Sequence, residues 1–171
     1  MNAMFHALRS VVAVASAAAL LGCGGSDIAH GQADHPVPMP DMLRTHLRGE
    51  EFAALPSVAS LPLSVRDGLK AMFKTTTLEL AEPGAPFQQT DVLVTPRLPP
   101  RRLVAAGCAA DHCVVHYERG GFAHLYYVVV FRMSNAGAVF EWGGVSGGPL
   151  DLAGAREAIG SGKVVGQSKY W

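Results

Sequence analysis

Residues 108–113 read Cys-Ala-Ala-Asp-His-Cys, two thiols enclosing a carboxylate and an imidazole. Three chemistries use these residue types at close spacing. They are half of a metal centre, the histidine corner of a hydrolase, and a disulfide across a turn. His116 and His124 follow within the same stretch, and Ser146 stands in Gly-Val-Ser-Gly-Gly-Pro-Leu, residues 144–150. His112 and His116 have a spacing that lets both ligate one ion from a helix. The segment His-Cys-Val-Val-His-Tyr is β-branched and aromatic, however, and reads as a strand. On a strand the two rings lie about 13 Å apart, too far for a single zinc ion with bonds near 2 Å. No metal ligand and no cofactor are therefore assigned, and His116 is read as a hydrogen-bonded histidine of the core.

The segment around Ser146 resembles the nucleophile stretch of trypsin-like serine proteases, and Ala109–Cys113 resembles their histidine stretch. The resemblance implies Ser146 as nucleophile and His112 as base. It breaks at three places. Val145 stands where that family has an acid, and Asp111 where it has alanine. Only Glu118 and Glu141, and no aspartate, lie between His112 and Ser146. Ser146 also fits Gly-x-Ser-x-Gly, the nucleophile elbow of α/β-hydrolases, which needs a later histidine. None follows Ser146. A triad is defined by geometry and roles, so no catalytic residue is assigned, and a small serine hydrolase using Ser146 is kept as an alternative. His112, His116, His124 and Ser146 remain candidate ligand-facing positions.

The start of the chain says where such a domain would work. After Arg9 comes an apolar, alanine-rich run, Ser10–Leu21, then Gly22-Cys23. The run is short for a bilayer span and reads as the core of a signal peptide. Leu20-Leu21-Gly22-Cys23 resembles the lipobox of bacterial lipoproteins. The resemblance implies cleavage after residue 22 and acylation of Cys23, giving a membrane anchor stronger than a single acyl chain provides. Gly24 follows Cys23 in place of the aspartate that retains such proteins at the inner membrane. The expected location is the periplasmic face of a Gram-negative outer membrane. Residues 23–40 are rich in Gly and Pro and read as a tether, with His30 and His35 as solvated linker residues. Residues 41–171 are then one domain, long enough to bury a core.

Composition narrows the partners. With 14 basic and 14 acidic residues, bulk charge gives no reason to expect nucleic-acid binding. The expected partners are the membrane, through the anchor, and an envelope protein.

The elements that must position Cys108–Cys113 follow from periodicity. A first helix is expected over residues 41–54, with Asp41 as its cap. A second starts at a Ser64/Asp67 capping box and shows Val65, Leu69, Met72 and Phe73 on one stripe. Residues 75–80 and 90–94 read as strands, and four further strand-like runs span residues 101–143. Their short connections predict an antiparallel meander. A two-residue Gly120-Gly121 turn would pair His116 with Leu125 and Val114 with Tyr127, leaving His116 and His124 on opposite faces. The Ser134–Gly137 loop would pair Phe131 with Phe140 and Val129 with Trp142. One face then gathers Leu103, Val114, Leu125, Tyr127, Val129, Phe131, Phe140 and Trp142, and the other is only partly covered. Asp151 caps a short helix to Ile159. Cys108 and Cys113 close a four-residue hairpin loop and, in an oxidising compartment, form a disulfide. The fold class is α+β, an antiparallel meander with N-terminal helices and a short C-terminal helix packed on it. The expected function is a non-catalytic binding or envelope-accessory module. A carrier of an apolar ligand, walled by the open sheet face, is the other alternative.

Overall fold

The computed structural model describes residues 36–92 and 97–169. Cys23, the signal and tether residues before Pro36, and Tyr170 and Trp171 lie outside the described residues. Six antiparallel strands form one open sheet in sequence order: β1 Ala53–Ala54, β2 Arg101–Cys108, β3 His112–Arg119, β4 Leu125–Ser134, β5 Gly137–Ser146 and β6 Val165–Gly166. Three helices accompany it: α1 Asp41–Gly49, α2 Leu63–Phe73 and α3 Leu152–Gly160. The fold is α+β. Among the described residues no helix is long and apolar enough to cross a membrane.

Several boundaries differ from the sequence reading, each for a local reason. α1 stops at Gly49, a poor helix former, and Glu50 is already extended. Asp41 sits in the first turn and Pro40 takes the cap position. α2 starts after Pro62, before the anticipated capping box, and no side chain caps it. Asp67 instead pairs with Lys70 at 2.6 Å. Asp151 does cap α3, accepting from the Gly154 N–H at 2.7 Å. Residues 75–80 do not form a strand. Next to them only Ala81 bridges to β2, exchanging backbone hydrogen bonds with Arg101 and Leu103. Residues 90–92 form a bend, and the rest of that expected strand lies outside the described residues. Pro36–Pro40, assigned to the tether, pack on the domain. The Val37 N–H donates to Gly166, its carbonyl accepts from Trp142 Nε1 at 3.1 Å, and Met39 is buried.

The largest correction concerns register. Arg119 pairs with Leu125, so β3 and β4 are joined by five residues rather than two. An odd offset turns every β3 side chain to the other face relative to β4. His116 now opposes Val128, and Val114 opposes Val130. One face carries Leu103, Val115, Tyr117, Tyr127, Val129 and Phe131 under α2. The other carries Val114, Val128, Val130 and Trp142 under α1 and α3. The second face is therefore covered, and β3 is buried from His112 to Glu118. On β5 the predicted Phe131–Phe140 pair is present. A bulge follows, and Val130, not Val129, opposes Trp142. Glu141 is the extra residue.

α2 packs so closely on the sheet that a Cβ at Gly68 would sit 2.7 Å from the Phe131 ring, which is fully buried. Gly68→Ala gains about 1 kcal/mol of helix preference, but overpacking costs about 1–3 kcal/mol. We expect a net loss of up to about 2 kcal/mol in urea unfolding. An alanine variant at least as stable as the parent would contradict this packing.

Candidate functional site

His46 lies in the last turn of α1, and Glu50 is the extended residue that follows the helix. Leu43 and Leu47 are buried against the sheet. α1 is also locked to α3 by a reciprocal arrangement of arginines. Arg44 and Arg48 reach the last carbonyls of α3, at Ile159 and Gly160. Arg156 of α3 reaches the carbonyls of Leu47 and Glu50 at the end of α1 and lies over the Phe52 ring. Helix C-termini carry unpaired carbonyls and partial negative charge, so each helix supplies a cation to the end of the other, and α3 has no basic residue in its own last turn. The last residue of α3 is Gly160, because a Cβ there would meet Arg48 Nε at 2.6 Å.

The β2–β3 hairpin brings the second half of the site. Cys108 opposes Cys113 in register, and the pair is at disulfide distance, Cα to Cα 4.0 Å. Closing so short a loop contributes about 2 kcal/mol by chain entropy. It also pins Asp111 and His112, which the loop encloses. The Ala109 N–H donates to the His112 carbonyl at 2.7 Å, and the Met133 N–H to the Asp111 carbonyl at 2.6 Å.

These elements converge at one end of the α1/α3 face. Asp111 Oδ1 lies 3.0 Å from His46 Nε2 and 2.9 Å from His112 Nδ1. His46 Nε2 is also 3.2 Å from Glu50 Oε1. The far nitrogen of His112 meets Glu141 Oε2 at 3.0 Å, across the bulge. The two imidazole rings stand edge to face, 4.6 Å between centroids. Glu50 Oε2 is buried without a hydrogen-bond partner. Asp111 is pulled down to about 2 by its hydrogen bonds to His46 and His112. His46 is raised above 6.5, chiefly by Asp111. The cluster opens on a cleft of about 420 Å³ that Pro40, Met42, Leu43 and Arg132 also line.

The other candidate residues lie elsewhere. His112 and His116 are on a strand as expected, and do not meet. His116 is fully buried. Its Nδ1–H donates to the Tyr127 carbonyl at 2.9 Å and its Nε2 accepts from the Leu150 N–H at 3.1 Å, which describes a neutral ring. Burial pushes its pKa below 6.5. His124, expected on the opposite face from His116, lies on the same face because of the five-residue connection. The Tyr126 ring neighbours both, 6.1 Å from His116 and 4.9 Å from His124. His124 Nε2 contacts Glu118 at 2.6 Å, and Glu118 also pairs with Arg102 at 2.6 Å. Ser146 Oγ donates to the Gly148 carbonyl at 2.9 Å. The structure thus unites His112 with residues the sequence reading did not single out. His46 and Glu50 carried a usable signal in their helical spacing. Glu141 carried none, because the even β3–β4 register expected from Gly120-Gly121 sets it on the face opposite His112.

Compared with known protein families, curated proteins and solved structures, the chain matches none.

His116 generates a pH prediction. A histidine with a depressed folded pKa stabilises the fold fully above its unfolded value, near 6.5, and that contribution is lost as pH falls through the folded pKa. The raised His46 acts in the opposite sense and above 6.5, while Asp111 acts only below the ordinary carboxylate value of 3.8. Among these displaced groups the window just below 6.5 belongs to His116. We expect its imidazole signal in NMR to titrate with a midpoint below 6.5. Unfolding free energy should fall on acidification through this window, and His116→Gln should flatten the slope. A His116 midpoint at or above 6.5 would refute the assignment. Separately, Arg156→Met removes charged hydrogen bonds worth about 1.5–3 kcal/mol each. Unfolding measurements should show destabilisation on at least that scale.

Proposed function

We propose that the chain is an exported bacterial lipoprotein, anchored through Cys23 at the periplasmic face of the outer membrane, that works by binding rather than by catalysis. The observation that carries this reading is Leu20-Leu21-Gly22-Cys23 at the end of a short apolar run, followed by a Gly- and Pro-rich stretch. A cysteine pair in register and at disulfide distance suits an oxidising compartment. An anchored domain with balanced charge fits an accessory to an envelope protein better than a module for nucleic acid.

The alternatives have less support. A hydrolase needs a base beside Ser146, yet the Ser146 hydroxyl is turned onto backbone carbonyls. His112 is held by two carboxylates and His124 by one. The apolar-ligand carrier relied on an open sheet face as its wall, and α1 and α3 cover that face.

The test is mass spectrometry of the chain recovered from Gram-negative membranes. We expect an N-terminal peptide that begins at Cys23 and carries acyl chains, together with release of a Cys23→Ala variant from the membrane. Under native, non-reducing alkylation Cys108 and Cys113 should remain unlabelled. Crosslinking in the envelope should recover one stoichiometric protein partner. An uncut start with unmodified Cys23, or full labelling of both remaining thiols, would defeat the reading.

A further inference from the structure

We propose that His46, Glu50, Asp111 and His112 form a binding site for a divalent first-row transition metal, zinc by preference, with Glu141 as the outer carboxylate behind His112. The inference is independent of lipidation, since it uses only residues of the folded domain.

The geometry is that of a nearly assembled ligand set. One donor atom from each of the four residues lies within 4.8 Å of all the others. In tetrahedral coordination with bonds of about 2.0–2.2 Å, donor atoms sit about 3.3–3.6 Å apart. The contacting pairs here are at 2.9, 3.0 and 3.2 Å, so small side-chain rotations open the space. Two imidazole nitrogens and two carboxylate oxygens suit zinc and its neighbours. They suit calcium and magnesium poorly, because those ions take oxygen.

Three further observations point to a cation. Glu50 Oε2 is buried and unpartnered, an arrangement that is costly for a carboxylate unless a positive group satisfies it. His112 offers Nδ1 to the cluster while Nε2 rests on Glu141 at 3.0 Å. A carboxylate on the far nitrogen is the support that fixes and strengthens a ligating histidine. Finally, Glu50, Asp111 and Glu141 bring three carboxylates to two imidazoles, an excess of negative charge that a dication would largely offset. The scaffold is rigid on both sides, with α1 held by the arginine exchange and the hairpin held by Cys108–Cys113. Sequential spacing joins only His46 to Glu50 and Asp111 to His112, and the fold brings the two pairs together from elements far apart in the chain.

The test is zinc titration of the full-length protein after chelator treatment, followed by calorimetry and by thermal unfolding. One equivalent should bind saturably and raise the melting temperature, and cobalt should give the visible bands of four-coordinate ions. His46→Gln and Glu50→Gln should abolish this binding, and Glu141→Gln should weaken it about 10–100-fold. His124→Gln and the double variant His30→Gln/His35→Gln should leave it intact. Far-ultraviolet circular dichroism of each variant separates loss of ligand from loss of fold. The proposal fails if no saturable equivalent binds. It also fails if folded His46→Gln and Glu50→Gln variants keep parental affinity, or if binding is lost with the tether histidines.

Discussion

Strands β3 and β4 are buried on both faces, and the rest of the molecule answers to that constraint. Val115, Tyr117, Val129 and Phe131 need cover on one side, and Val114, Val128 and Val130 on the other. An antiparallel sheet with one wet face would need a single layer of helix. This sheet needs two, and the chain supplies them from both ends, with α2 on the first face and α1 and α3 together on the second. Pairing an N-terminal helix with a C-terminal one makes the second layer depend on contacts between segments more than a hundred residues apart, as with Arg48 and Gly160 or Arg156 and Leu47.

That second layer also sets the candidate site. α1 is short, nine residues, and a helix of that length has little stability alone. Its position comes from burial of Leu43 and Leu47 and from the exchange of arginines with α3. His46 and Glu50 inherit that position. On the opposite wall, Asp111 and His112 inherit theirs from the pairing of Cys108 with Cys113. The polar cluster sits where two independently fixed elements meet, which is why flexible side chains can be held within about hydrogen-bonding distance without any contribution from the long loops.

Much of this was legible in the sequence, and the failures have specific causes. The meander, the Asp151 cap, the pairing of Phe131 with Phe140 and the opposition of the cysteines follow from alternation and short loops. The assignment of faces failed because Gly120-Gly121 looks like a tight turn, whereas Gly120 to His124 all lie in the connection. A single parity error of this kind exchanges Val114 with Val115 and leaves the sheet looking half open. The site failed for a different reason. The neighbours of His112 in sequence are His116 and His124, while its companions are brought by α1 and, through the odd register of β3 on β4, by β5. Periodicity reports which side of its own element a residue faces, and says nothing about which distant element arrives there.

Glu141 is the supernumerary residue of β5. Trp142 and Phe140 keep their places in the ladder opposite Val130 and Phe131, so the carboxylate between them occupies a slot that pairing does not require. A bulge can redirect a side chain without disturbing the strand on either side. Here the supernumerary residue adds an acid to the cleft while the apolar ladder above and below stays in phase. The chemistry of the cleft and the pairing of the sheet thereby rest on different residues of one strand.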